Sequence, residues 1–204
     1  MKERPWHTGR WSVGDGVADD DQVTRWAKEA GRGDRQAATA FIRALQDQVW
    51  RFLSHLAGPG EADDLTQETF LRAFRNLPGF AGRSSARTWV FTIARRVAVD
   101  HVRTAVARPR IASVPDWQTA AESAGAITAG ADEGVTLHQL IAGLTRERRE
   151  AFVATHVLGL SYAEAADVCQ CPIGTIRSRV ARAREDLVAA WQAEGDQSRT
   201  RRTS

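Results

Sequence analysis

The chain has 204 residues, 43% of them hydrophobic, enough to pack two small helical domains or one of medium size. Its net charge is +3 with a sequence pI near 9.4, and its basic residues are overwhelmingly arginine, the side chain suited to bidentate phosphate and base contacts. A membrane-spanning class is excluded because no run of about 18 apolar residues occurs, and a disulfide scaffold because Cys169 and Cys171, one residue apart, are the only thiols.

Residues 1–18 carry Pro5, Gly9, Gly14 and Gly16 without helical or strand period and read as a flexible leader. The start Met1 to Trp6 lacks the apolar stretch of a signal peptide, so a cytoplasmic chain is expected. A short helix around Gln22 to Ala30 is followed by Ala38, Phe41, Ile42, Leu45, Val49, Phe52, Leu53 and Leu56 at helical spacing, stopped by Gly58-Pro59-Gly60. The next helix covers Glu61 to Leu77 and ends at Pro78-Gly79. Another begins near Ser84 and passes Arg103, with Trp89, Val90, Ile93, Ala94 and Val97 on one face. Residues 19–104 thus form one domain. Residues 105–135, rich in Pro, Gly, Ala and acidic groups, read as a flexible linker. Helical pattern resumes over 136–191, and 192–204 form a polar tail. With no alternating strand pattern, the fold class is all-α with two domains.

The second domain contains a helix-turn-helix plan. Gly159 closes one helix, and Ser161-Tyr162-Ala163-Glu164 is a capping box worth on the order of 1 kcal/mol. Cys169-Gln170-Cys171-Pro172 makes the turn, with Pro172 placed to open a longer basic helix. At about 100° per residue, Ile173, Ile176, Val180, Ala183 and Leu187 form its inward stripe. The outward side holds Thr175, Ser178 and Arg182, framed by Arg177 and Arg184 on one edge and Arg179 on the other. Small residues between guanidiniums let a helix enter the major groove. A solvated arginine-rich surface is the plainer alternative, but capping box, turn and helix agree in register. The cysteines are small turn-packing residues rather than a zinc site, because no second pair accompanies them.

In the first domain, Asp64, Glu68, Leu71 and Arg75, with Gln67 nearby, face away from the apolar stripe of their helix; an exposed leucine beside carboxylates points to a protein contact. On the following helix Thr92, Arg95, Arg96, Val99 and Arg103 form a basic stripe next to the loop carrying Phe80, Arg83 and Ser84. That combination suits single-stranded DNA.

Three segments, ADDLTQETFLRAFRNL, SSARTWVFTIARRVAVDHVR and GLSYAEAADVCQCPIGTIRSRVARARE, occur in this order. Together they resemble the signatures of extracytoplasmic-function sigma factors of the sigma-70 family, in phrasing most like the sigma-C-like group of actinobacteria, over residues 20–104 and 136–191. The resemblance implies a promoter-specific transcription initiation factor with no catalytic site, cofactor or metal. Asp64, Gln67, Glu68 and Leu71 would meet the β′ clamp helices of core RNA polymerase. Phe80, Arg83, Ser84, Arg95, Arg96 and Arg103 would bind the minus-ten element. Thr175, Arg177, Ser178, Arg179 and Arg182 would read the minus-thirty-five element while their domain rests on the β flap. Promoter DNA and core polymerase are the implied partners, and an anti-sigma factor is left open as another. Ala86, where an aromatic is frequent, and Arg96, where asparagine is frequent, depart from the family pattern.

A stand-alone helix-turn-helix regulator is the rival reading, but it leaves the acidic helix and the basic loop without a role. An enzyme is disfavoured because His55, His101, His138 and His156 lack partner motifs, and each reads as a surface or satisfied core histidine. Two promoter elements about two helical turns apart lie roughly 70 Å from each other. A relaxed coil of linker length averages only about 30 Å, so the linker must be extended in the initiation complex, and without polymerase the domains should be mobile or packed together.

Overall fold

Helical spacing in the sequence becomes helix in the structure, a computed structural model that describes residues 19–107 and 137–201. The leader, most of the linker and the last three residues lie outside the described residues. The first domain contains α1 (Asp20–Gly31), α2 (Arg35–Ala57), α3 (Pro59–Asn76) and α4 (Ala86–Ala107), with a 3-10 turn at Leu77–Gly79. The second contains α5 (Leu137–Gly143), α6 (Arg146–Phe152), a π-helical turn at Val153–Val157, α7 (Tyr162–Cys169) and α8 (Ile173–Arg201). No strand occurs among the described residues. Helix α4 takes in Ala105 to Ala107 of the expected linker, and α8 runs through most of the segment read as a tail.

Side chains fix the helix starts. The Asp34 carboxylate accepts hydrogen bonds from the Gln36 and Ala37 backbone N–H groups at 2.8 and 3.0 Å, capping α2. The Ser85 hydroxyl accepts from the Thr88 backbone N–H at 3.1 Å and caps α4. The first core is aromatic at its centre: Phe41 meets Phe70 edge-on at 6.4 Å between ring centroids, and Phe52 meets Phe91 at 5.4 Å. Phe41, Phe52 and Phe91 are all fully buried, and each such side chain contributes about 1.5–3 kcal/mol through burial. Gly31 lets α1 approach the 3-10 turn, since a Cβ there would sit 2.7 Å from the Leu77 carbonyl oxygen.

The second core gathers Ile141, Leu144, Ala151, Val153, Leu158, Val168, Ile176, Val180 and Ala183. Ile173, assigned to this stripe from its spacing, is instead 40% exposed, because it lies at the first position of α8, beyond the reach of the helices that cover the rest of the stripe.

The two domains pack against each other. Helix α4 lies on α7, and α2 touches α5, α6 and the π turn. Thr92, Arg95 and Val99, expected on an open face of α4, are half-buried.

Candidate nucleic-acid and protein interfaces

The helix-turn-helix forms as its local chemistry requires. The Glu164 carboxylate accepts from the Ser161 backbone N–H at 2.8 Å and from its hydroxyl at 2.7 Å, and the Ser161 hydroxyl accepts from the Glu164 backbone N–H at 3.2 Å. Burial pushes the Glu164 carboxyl up, but the Ser161 hydrogen bonds, with Arg87 and Thr88, outweigh it and hold the group below the usual carboxylate range. Gln170 turns the chain in the left-handed region at φ 54°, its amide donating to the Asp167 carbonyl at 2.8 Å. On α8, Arg177, Ser178 and Arg182 are exposed together on the outward side, and Thr175 is half-buried at its edge. Arg179 is half-buried too and donates to Cys171 Sγ at 3.7 Å, which ties it to the turn. Glu185, exposed two turns beyond Ser178, places a carboxylate on the same face. Further along, Val188 and Trp191 leave an exposed apolar pair. The Cys169 thiol is buried and pushed up to about 12, so it is not a thiolate at neutral pH. Among the described residues, no group of three or more His, Cys, Asp or Glu side chains is placed to hold a metal ion.

On α3, Asp64, Gln67 and Leu71 are exposed and Glu68 is half-exposed, and helical spacing puts the four on one face. Glu68 is held by Arg72 at 2.7 Å, and Arg72 also reaches Asp100 on α4 at 3.0 Å; hydrogen bonds to these carboxylates raise the Arg72 pKa. This face is acidic around an apolar centre. The loop after α3 places Phe80 against Trp89, with ring centroids 4.9 Å apart, and leaves Arg83 exposed and Ser84 half-buried. Arg96 and Arg103 project from α4 into solvent.

Arg95 departs from the expected open basic stripe. Its Nε donates to Glu150 of α6 at 2.7 Å, and Glu150, with its side chain 2% exposed, also accepts from Arg146 at 2.9 Å. Thr88 donates to Glu164 at 3.4 Å, and Arg87 donates to Gln48 at 2.9 Å and to the Leu158 carbonyl oxygen. The contact between domains therefore occupies part of the surface expected to bind single-stranded DNA. The outward side of α8 is left open.

The histidines are less ordinary than their sequence context implied. His55 packs against His138 across the domain contact, with ring centroids 4.7 Å apart and planes tilted by 31°, and its Nδ1 is buried with no hydrogen-bond partner among the described residues, unlike a satisfied core histidine. Burial, followed by His138, Arg149 and Arg51, pushes its imidazole down to about 4. His156 meets Arg184 of α8. No spacing signals either pairing. Glu150 carries a legible hint, since an acid beside Ala151, Phe152 and Val153 on an apolar stripe needs a cation.

Two family models match the chain: Sigma-70 region 2 over residues 41–108 and Sigma-70, region 4 over residues 135–187. The chain is 49% identical to the ECF RNA polymerase sigma factor SigC of Mycobacterium tuberculosis (strain CDC 1551 / Oshkosh), covering 85% of this chain and 93% of that protein. It is 32% identical to the RNA polymerase sigma-H factor of Pseudomonas aeruginosa, covering 84% and 95%. Among solved structures, CnrH in complex with the cytosolic domain of CnrY shares the fold, with a TM-score of 0.65 at 23% identity over 86% of this chain and 99% of that one. The sigma factor RpoE in complex with the anti-sigma factor NepR from Bartonella quintana gives 0.56 at 26% identity over 73% and 92%.

Proposed function

The chain belongs to the extracytoplasmic-function sigma factors of the sigma-70 family, and from that membership we propose how its surfaces divide the work of initiation. It binds core RNA polymerase and directs promoter-specific transcription. In our reading the α3 face of Asp64, Gln67, Glu68 and Leu71 meets the β′ clamp helices. The loop and helix bearing Phe80, Arg83, Ser84, Arg95, Arg96 and Arg103 hold the opened minus-ten strand, and Thr175, Arg177, Ser178, Arg179 and Arg182 face the minus-thirty-five element. The exposed Val188 and Trp191 suit the β flap. The factor supplies no catalytic residue, and its place of action is the cytoplasm, with the polymerase; among the described residues no helix is long and apolar enough to cross a membrane. An anti-sigma factor is a further partner class, by likeness to RpoE and its NepR complex.

The observation that carries this reading is one chain joining an acidic, leucine-centred helix face to an arginine-framed recognition helix. A stand-alone regulator needs only the second. Run-off transcription with core polymerase on a promoter library tests it: specific starts are expected, and DNA binding without starts would favour the stand-alone regulator.

The domain contact adds a step. A packed body of about this chain's length has a radius of gyration of about 15 Å and spans about 40 Å, whereas the two promoter elements are roughly 70 Å apart. The packed conformation cannot serve both, and it occupies Arg95 as well. Polymerase must separate the domains, so the free chain binds promoters weakly and the holoenzyme binds them tightly.

A further inference from the structure

His156 sits in the π-helical turn that continues α6, and its ring lies flat on Phe152, with centroids 4.6 Å apart and planes parallel. Its Nδ1 is 2.7 Å from the Thr155 hydroxyl, which donates its own hydrogen to the Ala151 carbonyl at 2.8 Å. The hydroxyl is thereby left as acceptor, and the ring hydrogen belongs on Nδ1. Nε2 is then a bare lone pair. Into it point two N–H groups of Arg184, Nε at 3.2 Å and Nη2 at 2.7 Å. Burial and the Arg184 charge hold the imidazole below its usual range, which agrees with a neutral acceptor at pH 7.

A guanidinium has five donors in a planar fork. The side edge, Nε with one Nη2 hydrogen, is taken by His156. The end edge, Nη1 with the other Nη2 hydrogen, has no partner among the described residues. Arg184 is exposed on α8 seven residues after Arg177, two turns along the same stripe, at the border of the outward face rather than its centre. A fork presented there matches the two oxygens of a backbone phosphate.

We propose that His156 is a positioning residue for promoter binding: its neutral Nε2 fixes Arg184 so that the free edge of the guanidinium clamps a DNA phosphate beside the minus-thirty-five element. This rests on the reading of α8 as the recognition helix. The benefit is preorganisation. An unrestrained arginine loses rotamer freedom when it binds, and one already held by stacked, hydrogen-bonded His156 has lost it beforehand.

The test is binding of the holoenzyme to promoter fragments at several salt concentrations. Arg184→Ala should weaken binding on all sequences alike and lower the salt slope by about 0.9. His156→Leu, which offers no acceptor, should weaken binding by about three- to tenfold. His156→Gln, whose amide oxygen can accept, should restore it, and His156→Leu with Arg184→Ala should be no weaker than Arg184→Ala alone. Losses that multiply in the double variant, or failure of glutamine to rescue, would overturn the positioning role. If Arg184→Ala is silent while Arg182→Ala weakens binding, the proposal alone fails; if both are silent, the assignment of α8 fails and takes the proposal with it.

Discussion

Glu150→Gln isolates the force that holds the domains together. Glu150 bridges Arg95 on α4 at 2.7 Å and Arg146 on its own helix at 2.9 Å, with its side chain 2% exposed. The Arg146 contact lies within α6 and survives domain separation, so it cancels between packed and separated states. The Arg95 contact exists only when the domains are packed. Glutamine keeps an acceptor for Arg95 but not the charge, and a hydrogen bond is worth about 1.5–3 kcal/mol net with a charged partner against about 0.5–1.5 without one; a difference of about 1 kcal/mol, at 1.36 kcal/mol per decade, shifts the equilibrium about fivefold toward separation. Apparent affinity scales with the competent fraction. The free variant should therefore bind a single-stranded minus-ten oligonucleotide up to about fivefold more tightly than the unaltered chain, and small-angle scattering should show a larger radius of gyration. Arg95 itself is retained, so the DNA surface is intact. Unchanged affinity and unchanged dimensions in a folded variant would refute the reasoning.

Asp64→Arg with Glu68→Arg should abolish binding to core polymerase while thermal unfolding falls only slightly, because Asp64 is exposed and the Glu68 ion pair with Arg72 is a surface pair; unaltered affinity in a pull-down or fluorescence titration would remove the clamp assignment. Arg182→Ala should cost about 1–3 kcal/mol of promoter binding and relax preference at one base position, whereas a uniform loss across sequences would make it a phosphate contact. The third concerns pH. His55 holds its proton less tightly in the folded chain, at about 4, than the ordinary imidazole does at about 6.5. The unfolded chain protonates first, so its contribution to stability is whole above about 6.5 and is lost as pH falls toward about 4. Urea melts at pH 7.5 and 5 should show this fall, and His55→Leu should reduce it; an equal fall in the variant would assign the effect elsewhere.

Elements governed by neighbours in the chain were legible from residue order. The stop at Gly58-Pro59, the Ser161 to Glu164 capping box and the inward stripe of Ile176, Val180 and Ala183 depend on groups within a few turns, and residue order reports them directly. The exposure of Asp64 and Leu71 on α3 and of Ser178 and Arg182 on α8 follows from the same period, since the apolar side of a helix must go inward and the remainder outward. The tertiary structure decided what that period does not contain. Arg95 and Glu150 are 55 positions apart, and His156 and Arg184 are 28 apart; their pairing depends on how one helix lies on another. Ile173 fell outside the core because burial needs a covering partner as well as the right phase. The π turn that carries His156 exists because Leu158 donates to the Val153 carbonyl five residues back, at 3.0 Å, a local bond with no distinctive residue requirement. Local hydrogen bonding and hydrophobic period are written along the chain, whereas the partner of a long charged side chain is set by the surface that packing brings opposite it.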